Sequence, residues 1–370
     1  MNKKNAVKFR SRTGNDFHTA LKKNVQDYFL KNNISPFANT TMVVKTIVLL
    51  TSYIAPFVLL VVLHPPLLVS LLLWALMGIA MAGIGMSVMH DANHGAYSSK
   101  AWVNKILGST LNLLGGAVFN WKLQHNILHH TYTNISGMDD DIDTKAGMRF
   151  TPHDNLQNKH KGQYWYAFGL YSLITLYWLL GKDFVQWKRY RDNGVNASPP
   201  AEYYRNLVQL TIMKLLYIGV FIVVPVVVAT IPLWQVLIGF LLMHMIAGII
   251  LSVVFQLAHT VEGTSHPIPD ESGSIQNNWA VHQMETTMNF APHSKLLSWY
   301  VGGLNFQVEH HLFPKICHVH YPQISRIVQQ TAAEYHVPYL SHPTLGKAIQ
   351  SHIRLLHTLG RVPSLNDIID

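Results

Sequence analysis

Four long stretches of the chain contain no Asp, Glu, Lys or Arg and are mostly apolar. A helix needs about 20 such residues to cross the hydrocarbon core of a bilayer, so each stretch is long enough to span a membrane. Short uncharged joints at 64–66 and 230–232 connect them in pairs. The pattern therefore predicts an all-α membrane bundle of two helical hairpins, with spans over 46–63, 67–89, 215–231 and 233–258.

Positive charge lies at the end of each hairpin that is opposite its connecting joint. Residues 1–45 contain nine Lys and Arg, and residues 182–214 contain six more. The positive-inside rule then places both termini and the large polar segments in the cytosol. The N-terminus is polar and lysine-rich, so no signal peptide is expected. We expect a basic segment over 1–45, a membrane domain over 46–340 and a cytosolic tail over 341–370.

Three other segments have helical patterns. Residues 106–119 and 163–181 are apolar, but the first is short and the second is rich in Tyr and Trp, which favour the head-group level. We expect both to lie against the bundle, although 163–181 is long enough to be a fifth span. Residues 14–31 place Phe17, Leu21, Val25 and Phe29 four apart, which predicts an amphipathic surface helix.

The composition restricts the possible chemistry. Hydrophobic residues make up 49% and charged residues 13% of the 370 residues, as in a membrane protein. The net charge of +9 is not arranged as a stripe with interleaved aromatic residues, so no nucleic-acid partner is expected. A single cysteine excludes a Cys-based zinc site or iron–sulfur cluster. The 22 histidines indicate a need for neutral nitrogen ligands.

Eight candidate residues form three clusters. The first two lie just after apolar stretches, and the third lies well beyond the fourth predicted span. Helical residues that are three or four apart share a face, so the pairs within each cluster can bind one metal region. His130 is offset from its cluster toward a second position. The clusters are His90 and His94, then His125, His129 and His130, then Gln307, His310 and His311.

This many histidines exceeds what one tetrahedral zinc ion takes. The chain has neither the His-Glu-x-x-His motif of zinc proteases nor the Glu-x-x-His pairs of soluble di-iron bundles. Imidazole suits iron, copper and zinc. What remains is a histidine-rich non-haem di-iron site at a membrane surface, of the kind that activates dioxygen for attack on an unreactive C–H bond.

The three clusters, their order and their position relative to two hairpins resemble the membrane fatty acid desaturases. The resemblance covers about residues 40–340. The third cluster has Gln307 where most members of the family have a first histidine. This replacement resembles the pattern of the front-end subgroup, which includes delta-6 and linoleoyl-CoA desaturases. Residues 129–134 and 307–314 also resemble that subgroup.

The resemblance implies further ligands. Asn278-x-x-x-His282 matches an element of the stearoyl-CoA type of desaturase, which implies His282 as a ligand and Asn278 as a weaker one acting through water. His259 either replaces the nitrogen lost at Gln307 or caps a helix end. The Gln307 amide either binds iron weakly or orients a water molecule.

The resemblance also implies a function and partners. It implies two iron ions, dioxygen, a separate electron donor such as ferredoxin or a cytochrome b5-like protein, and a cis double bond inserted in an acyl chain bound to CoA, a carrier protein or a lipid. No His-Pro-Gly-Gly haem motif of a fused cytochrome b5 domain is present, which favours a bacterial inner-membrane enzyme. The alternatives are a di-iron hydroxylase of lipids, alkanes or carotenoids and, less favoured, a histidine-rich metal transporter.

Several other polar residues have two interpretations. Asp139, Asp141 and Asp143 follow the second cluster, where they either accept hydrogen bonds from ligand imidazoles or form a solvated acidic turn. His244 lies within the fourth span, and we expect it to make a helix–helix hydrogen bond there.

Overall fold

The computed structural model of the protein describes residues 7–10, 16–142 and 147–363. Most of these residues are helical, which confirms the all-α prediction. The chain divides into two compact units. The first unit is formed by 39–123 and 168–253, and the second by the described residues within 5–38, 124–167 and 254–370.

Four helices of the described residues are long and apolar enough to cross a membrane, in agreement with the predicted number. We call them spanning helices 1 to 4. They belong to the first unit, except that the last turn of spanning helix 4 continues into the second unit. Their bounds are Thr40–Leu63, Leu67–His94, Pro200–Val227 and Leu233–His259.

Two of these helices begin earlier than the predicted spans. The prediction started each of these spans directly after a lysine, but the structure buries that lysine inside the helix. Lys45 is 1% exposed within spanning helix 1. Lys214 lies within spanning helix 3, where its Nζ is 2.6 Å from the Asp183 carboxylate and donates to the Trp178 carbonyl at 2.9 Å. A paired and hydrogen-bonded lysine is compatible with a buried helix. Spanning helix 3 also ends earlier, at Val227.

The rest of the first unit consists of short helical pieces. Residues 106–119 form the end of one helix and a 3-10 turn, and residues 163–181 break at Leu173. No piece of these two segments is long enough to be a fifth spanning helix. The pieces are Ala101–Gly108, Ser109–Leu114, Val118–Trp121, Gln163–Ser172 (which begins in the second unit), Ile174–Tyr177, Trp178–Lys182 and Asp183–Asp192.

Small residues allow spanning helices 2 and 4 to approach closely. A Cβ on Gly78 would lie 2.6 Å from the Met243 carbonyl oxygen, and a Cβ on Gly239 would overlap the Trp74 ring. Small residues at helix contacts are common in membrane bundles, because they let backbones pack. His244 bonds Thr175 Oγ1 at 3.1 Å and Tyr217 Oη at 3.2 Å, which is the predicted helix–helix hydrogen bond.

The second unit is also helical, with two parallel pairs of very short strands. Lys8–Phe9 pairs with Ser274–Ile275, and Asn289–Phe290 pairs with Ser341–His342. Its helices are Phe17–Asn32, His130–Tyr132, Asn158–Gly162, Trp279–Thr286, Lys295–Tyr300, Gln307–Leu312, His318–His320, Tyr321–Glu334 and Leu345–Leu359. The π-helix Lys122–His129 enters it from the first unit.

The predicted amphipathic helix is Phe17–Asn32, which we call α1. Phe17, Leu21, Val25 and Phe29 are its buried residues, as the four-residue spacing predicts. They share one hydrophobic core with residues of the helices Trp279–Thr286, Gln307–Leu312 and Tyr321–Glu334. This core therefore anchors the helix that carries the third histidine cluster.

Candidate metal centre

The first cluster lies at the C-terminal end of spanning helix 2, in the first unit. A π-helical turn over Ile84–Val88 precedes the α-helical turn Met89–His94. His90 and His94 are neighbours on one face, with ring centroids 4.7 Å apart, and both rings contact Trp121 edge-on. The structure therefore places this pair as the i, i+4 spacing predicts.

The second cluster lies on the π-helix Lys122–His129 and the residue after it. Hydrogen bonds from i to i+5 widen such a helix, so residues five apart approach each other. His125 Nε2 is 3.3 Å from His130 Nε2, and the His125 ring is also stacked at 5.3 Å on the His129 ring. The wider winding therefore gives His130 a direct contact with His125 that an α-helix would not predict. His130 nevertheless belongs to a different group of candidate metal ligands from His129, as its predicted offset toward a second position implies.

The third cluster lies on the short helix Gln307–Leu312, in the same unit as the second. The His310 ring lies 4.6 Å from that of His130, and the His311 ring lies 4.5 Å from His130 and 4.8 Å from His129. All four histidines are buried, and His129, His310 and His311 have no exposed surface. The fold therefore brings together two clusters that are about 180 residues apart in sequence.

The second unit contains two groups of three histidines that have the geometry of metal sites. In each group, one ring nitrogen per residue lies within 4.8 Å of the others. His129, His259 and His311 form one group, and His130, His310 and His311 form the other. His259 was expected either to supply a ligand or to cap a helix; its position favours the ligand.

The hydrogen bonds of the first group prepare its rings for metal binding. His259 Nδ1 donates to the Thr286 carbonyl at 3.4 Å, and His311 Nδ1 donates to Gln283 Oε1 at 2.7 Å. Each bond fixes the proton on Nδ1 and leaves the Nε2 lone pair for a metal, as partners of ligating histidines do. His129 Nε2 is buried and has no hydrogen-bond partner in the described residues. These residues fit a metal ion.

Asp139 orients His129. His129 Nδ1 lies 3.1 and 3.2 Å from its two carboxylate oxygens, which also accept the backbone N–H groups of Asn134 and Asp141 at 3.0 Å. Asp141 accepts a hydrogen bond from Gln124. Two of the three predicted acidic residues therefore belong to this network, and Asp143 lies outside the described residues.

Burial and charge act in opposite directions on these rings. Burial disfavours the charged form of His129, but the nearby Asp139 and Asp141 carboxylates outweigh it and raise the pKa of His129. Burial, followed by the neighbouring histidines, holds the pKa of His311 well below its ordinary value. His311 is therefore neutral, which is the form that binds metal, and a metal at His129 would replace a proton that the carboxylates favour.

Gln307 lies between two histidines of the first group. Its Nε2 is 3.0 Å from His259 Nε2 and 3.3 Å from His311 Nε2. Rotation of the amide by half a turn exchanges its nitrogen and oxygen, so either atom reaches this position. The Gln307 side chain thus lies where a fourth candidate ligand would join His129, His259 and His311.

His282 and Asn278 lie on the helix Trp279–Thr286 and its N-cap. His282 is buried, with its Nε2 lacking a hydrogen-bond partner in the described residues, and the Phe9 ring is 5.0 Å away. Burial lowers the pKa of His282 to about 4, so this ring is neutral. Asn278 Oδ1 accepts the Val281 N–H at 2.9 Å, which caps the helix. Neither residue belongs to the two groups above.

A buried carboxylate beside the third cluster was not among the predicted residues. Glu309 has no exposed surface, and it accepts hydrogen bonds from Asn289 Nδ2 at 2.7 Å and Tyr339 Oη at 2.9 Å. Asn289 Oδ1 also accepts the Val308 N–H at 2.9 Å. Burial raises the pKa of Glu309 to about 7. These hydrogen bonds connect the Gln307–Leu312 helix to the strand at 289–290. The sequence signal for Glu309 was an acidic residue within a segment that is otherwise apolar and rich in histidine.

Replacing Asp139 by Asn is expected to weaken metal binding and turnover by about 10- to 100-fold, the usual range for partners of ligating histidines. The Asn amide can donate to His129 Nδ1, which would move the ring proton to Nε2 and block that ligand atom. The amount of metal retained during titration with a chelator, measured beside turnover, tests this. Asp140→Asn removes the same charge from a half-buried neighbour and should leave both quantities close to the parent values; equal losses in the two variants would contradict the assignment.

A helical membrane protein with buried groups of oriented histidines has a ligand set that suits a metal-dependent oxidoreductase. Sequence comparisons identify the protein family. The sequence model described as fatty acid desaturase matches residues 34–343. The chain therefore belongs to the fatty acid desaturase family.

Its similarity to front-end desaturases extends over almost the whole chain. The sn-1 linoleoyl-lipid 6-desaturase of Synechocystis sp. is 37% identical over 96% of this chain and 98% of its own length. The protein of the same name from Arthrospira platensis is 34% identical over 95% of both chains. The acyl-lipid (8-3)-desaturase of Physcomitrium patens is 33% identical over 97% of this chain and 74% of its own. The prediction of a front-end membrane fatty acyl desaturase is confirmed.

Proposed function

We propose that this desaturase inserts a cis double bond at carbon 6 of a linoleoyl chain that is bound to a membrane lipid. The observation that carries the proposal is the buried histidine group of His129, His259 and His311 with Gln307 against it. The names of the two relatives that match over nearly their full lengths support the lipid-bound substrate and the position.

The proposed cofactor is a pair of iron ions. The supporting features are the two groups of histidines in the second unit, and the sequence resemblance of the first cluster. The proposed ligands are His90, His94, His125, His129, His130, His282, His310 and His311, with His259 and Gln307 as further candidates and Asn278 acting through water. When bound, the iron pair supplies dioxygen activation: two hydrogens leave adjacent methylenes and, with two electrons and two protons, dioxygen becomes two waters.

The residues of the chain itself hold and shield this site. Asp139, Gln283 and the Thr286 carbonyl orient three imidazoles, so that little reorganisation is needed on metal binding. Complete burial of His129, His259 and His311 keeps bulk water from the reacting centre. Exclusion of water protects a reactive centre from side reactions.

The two electrons require a separate donor. We propose ferredoxin or a cytochrome b5-like protein, because the single cysteine of the sequence cannot hold an iron–sulfur cluster. The basic residues at the ends of the hairpins opposite their connecting joints support a multi-pass protein with both termini in the cytosol. We propose a bacterial inner membrane as its location.

Expression in a host that contains linoleoyl lipids but no 6-desaturase tests the proposal. We expect a new lipid-bound fatty acid with two hydrogens fewer, and derivatisation should place its new double bond at carbon 6. A product with one added oxygen would instead establish the hydroxylase, and a new bond at another carbon would contradict the proposed position. The His129→Ala variant, expressed in parallel, is the control for host activity.

A further inference from the structure

An open cleft lies in the second unit beside the helix that carries the third histidine cluster. Its volume is about 690 Å³, within the usual range of small-molecule sites. One wall is the C-terminal half of α1 and the loop after it, and the other is the segment that follows the Gln307–Leu312 helix. The lining residues are Lys22, Val25, Gln26, Phe29, Leu30, Asn33, Ile34, Ser35, Pro36, Phe313, Lys315 and Ile316.

The lining separates into an apolar part and a cationic part. Of the apolar lining residues, Val25 and Phe29 are buried, whereas Leu30 is 69% and Ile34 37% exposed. The charged members of the lining are two lysines, Lys22 and Lys315, and no acidic residue lines the cleft. Such a surface fits an amphiphile that has an apolar chain and an anionic group.

The walls of the cleft are fixed before any ligand binds. The Cys317 N–H donates to the Pro36 carbonyl at 2.8 Å, and His320 Nε2 bonds the Phe37 carbonyl at 3.1 Å. The Phe29 ring packs edge-on against the His320 ring at 5.3 Å. A preformed site loses little conformational entropy on binding, which favours affinity.

We propose that this cleft is a docking site for an anionic glycerolipid of the surrounding membrane. The acyl chain would lie against Leu30, Ile34 and Phe313, and the phosphate would be held between Lys22 and Lys315. A helix with exposed apolar residues and several lysines is typical of a segment that lies at the bilayer interface, where such lipids are abundant. The cleft is concave and apolar inside, which suits a lipid chain better than the flatter surface of a protein partner.

The site is connected by backbone to the metal-binding helix. Phe313, which lines the cleft, donates its N–H to the Glu309 carbonyl at 2.9 Å, in the last turn of the Gln307–Leu312 helix. The inference goes beyond the proposed function, because lipid binding at this cleft does not require that the bound lipid be the substrate.

Photo-crosslinking in lipid nanodiscs tests the proposal with the full chain. The nanodiscs contain phosphatidylcholine with a small fraction of phosphatidylglycerol that carries a diazirine on its acyl chain. We expect crosslinks to map to residues 25–36 and 313–316. Lys22→Gln combined with Lys315→Gln should lower the yield roughly 10- to 30-fold, since each lysine near an anionic head group contributes about fivefold.

The matched control is Lys23→Gln combined with Lys31→Gln. Both lysines are exposed and lie on α1, but neither lines the cleft, so this variant removes the same total charge from positions outside the cleft. It should keep most of the crosslinking. Equal losses in the two double variants would mean general attraction to a basic helix and would overturn the proposal, as would crosslinks that map elsewhere.

Two further arms separate other ligands from a glycerolipid. Acyl-CoA added in excess should not displace the probe; efficient displacement would assign the cleft to acyl-CoA and overturn the lipid assignment. An acidic ferredoxin that blocks crosslinking would assign it to the electron donor. The same measurement on His129→Ala should give unchanged crosslinking, so failure of the proposed enzyme activity and failure of the lipid site are distinguishable.

Discussion

Replacing His129 by Ala is expected to abolish desaturation and to remove at least half of the bound iron. The His129 ring lies close to several other histidine rings, with ring centroids 4.7 Å from His259, 4.8 Å from His311 and 5.3 Å from His125. Alanine removes the proposed ligand nitrogen and leaves Asp139 buried without the ring that it orients. A loss of about 100-fold or more is expected, because even partners of ligands contribute 10- to 100-fold.

Two measurements on purified protein check this result. Elemental analysis gives iron per chain, and lipid profiling gives the amount of new product. His293→Ala is the matched control, since this histidine is exposed in a loop before the helix Lys295–Tyr300. Full iron occupancy together with parent product levels in His129→Ala would show that His129 is not a ligand.

The number and approximate position of the spanning helices were predictable, because a bilayer requires long uncharged apolar runs. Their ends were less predictable. Excluding every lysine from a span is sound for an exposed charge, but Lys45 is buried and Lys214 is neutralised by Asp183. Whether a lysine finds a buried carboxylate depends on residues more than 30 positions away, which hydropathy does not record.

The candidate ligands of the second and third clusters were recognisable from their spacing, but the contacts between the two clusters were not. The π-helix over Lys122–His129 gives His130 and His125 a direct contact that an α-helical pattern does not predict. The cause is the hydrogen bonding between residues five apart in the π-helix, and the sequence contains no established signal for this winding.

The residues that orient the rings were only partly predictable. Asp139 was identifiable because an acidic residue near a histidine cluster commonly accepts a ring N–H. Gln283 and the Thr286 carbonyl were not, because they reach the site from a helix whose position depends on the tertiary fold. Backbone carbonyls carry no sequence signal at all.

Gln307→Val is expected to lower turnover by about 10- to 100-fold, and Gln307→His by a smaller factor of roughly ten. The Gln307 amide touches the Nε2 atoms of both His259 and His311, so valine removes every polar contact at that position. Histidine restores a nitrogen ligand, but its rigid ring must fit a space only 3.0 Å from His259. Ligand geometry tolerates displacements of about half an ångström, so partial activity is expected.

Iron content distinguishes the possible roles of this amide. If Gln307 binds iron, the valine variant should lose iron in proportion to activity; if it orients a water, iron should stay while turnover falls. Gln323→Val, at an exposed position of the helix Tyr321–Glu334, is the control for replacing a glutamine by valine. Parent turnover in Gln307→Val would show that the amide takes no part, and His259 would then be the residue that completes the group with His129 and His311.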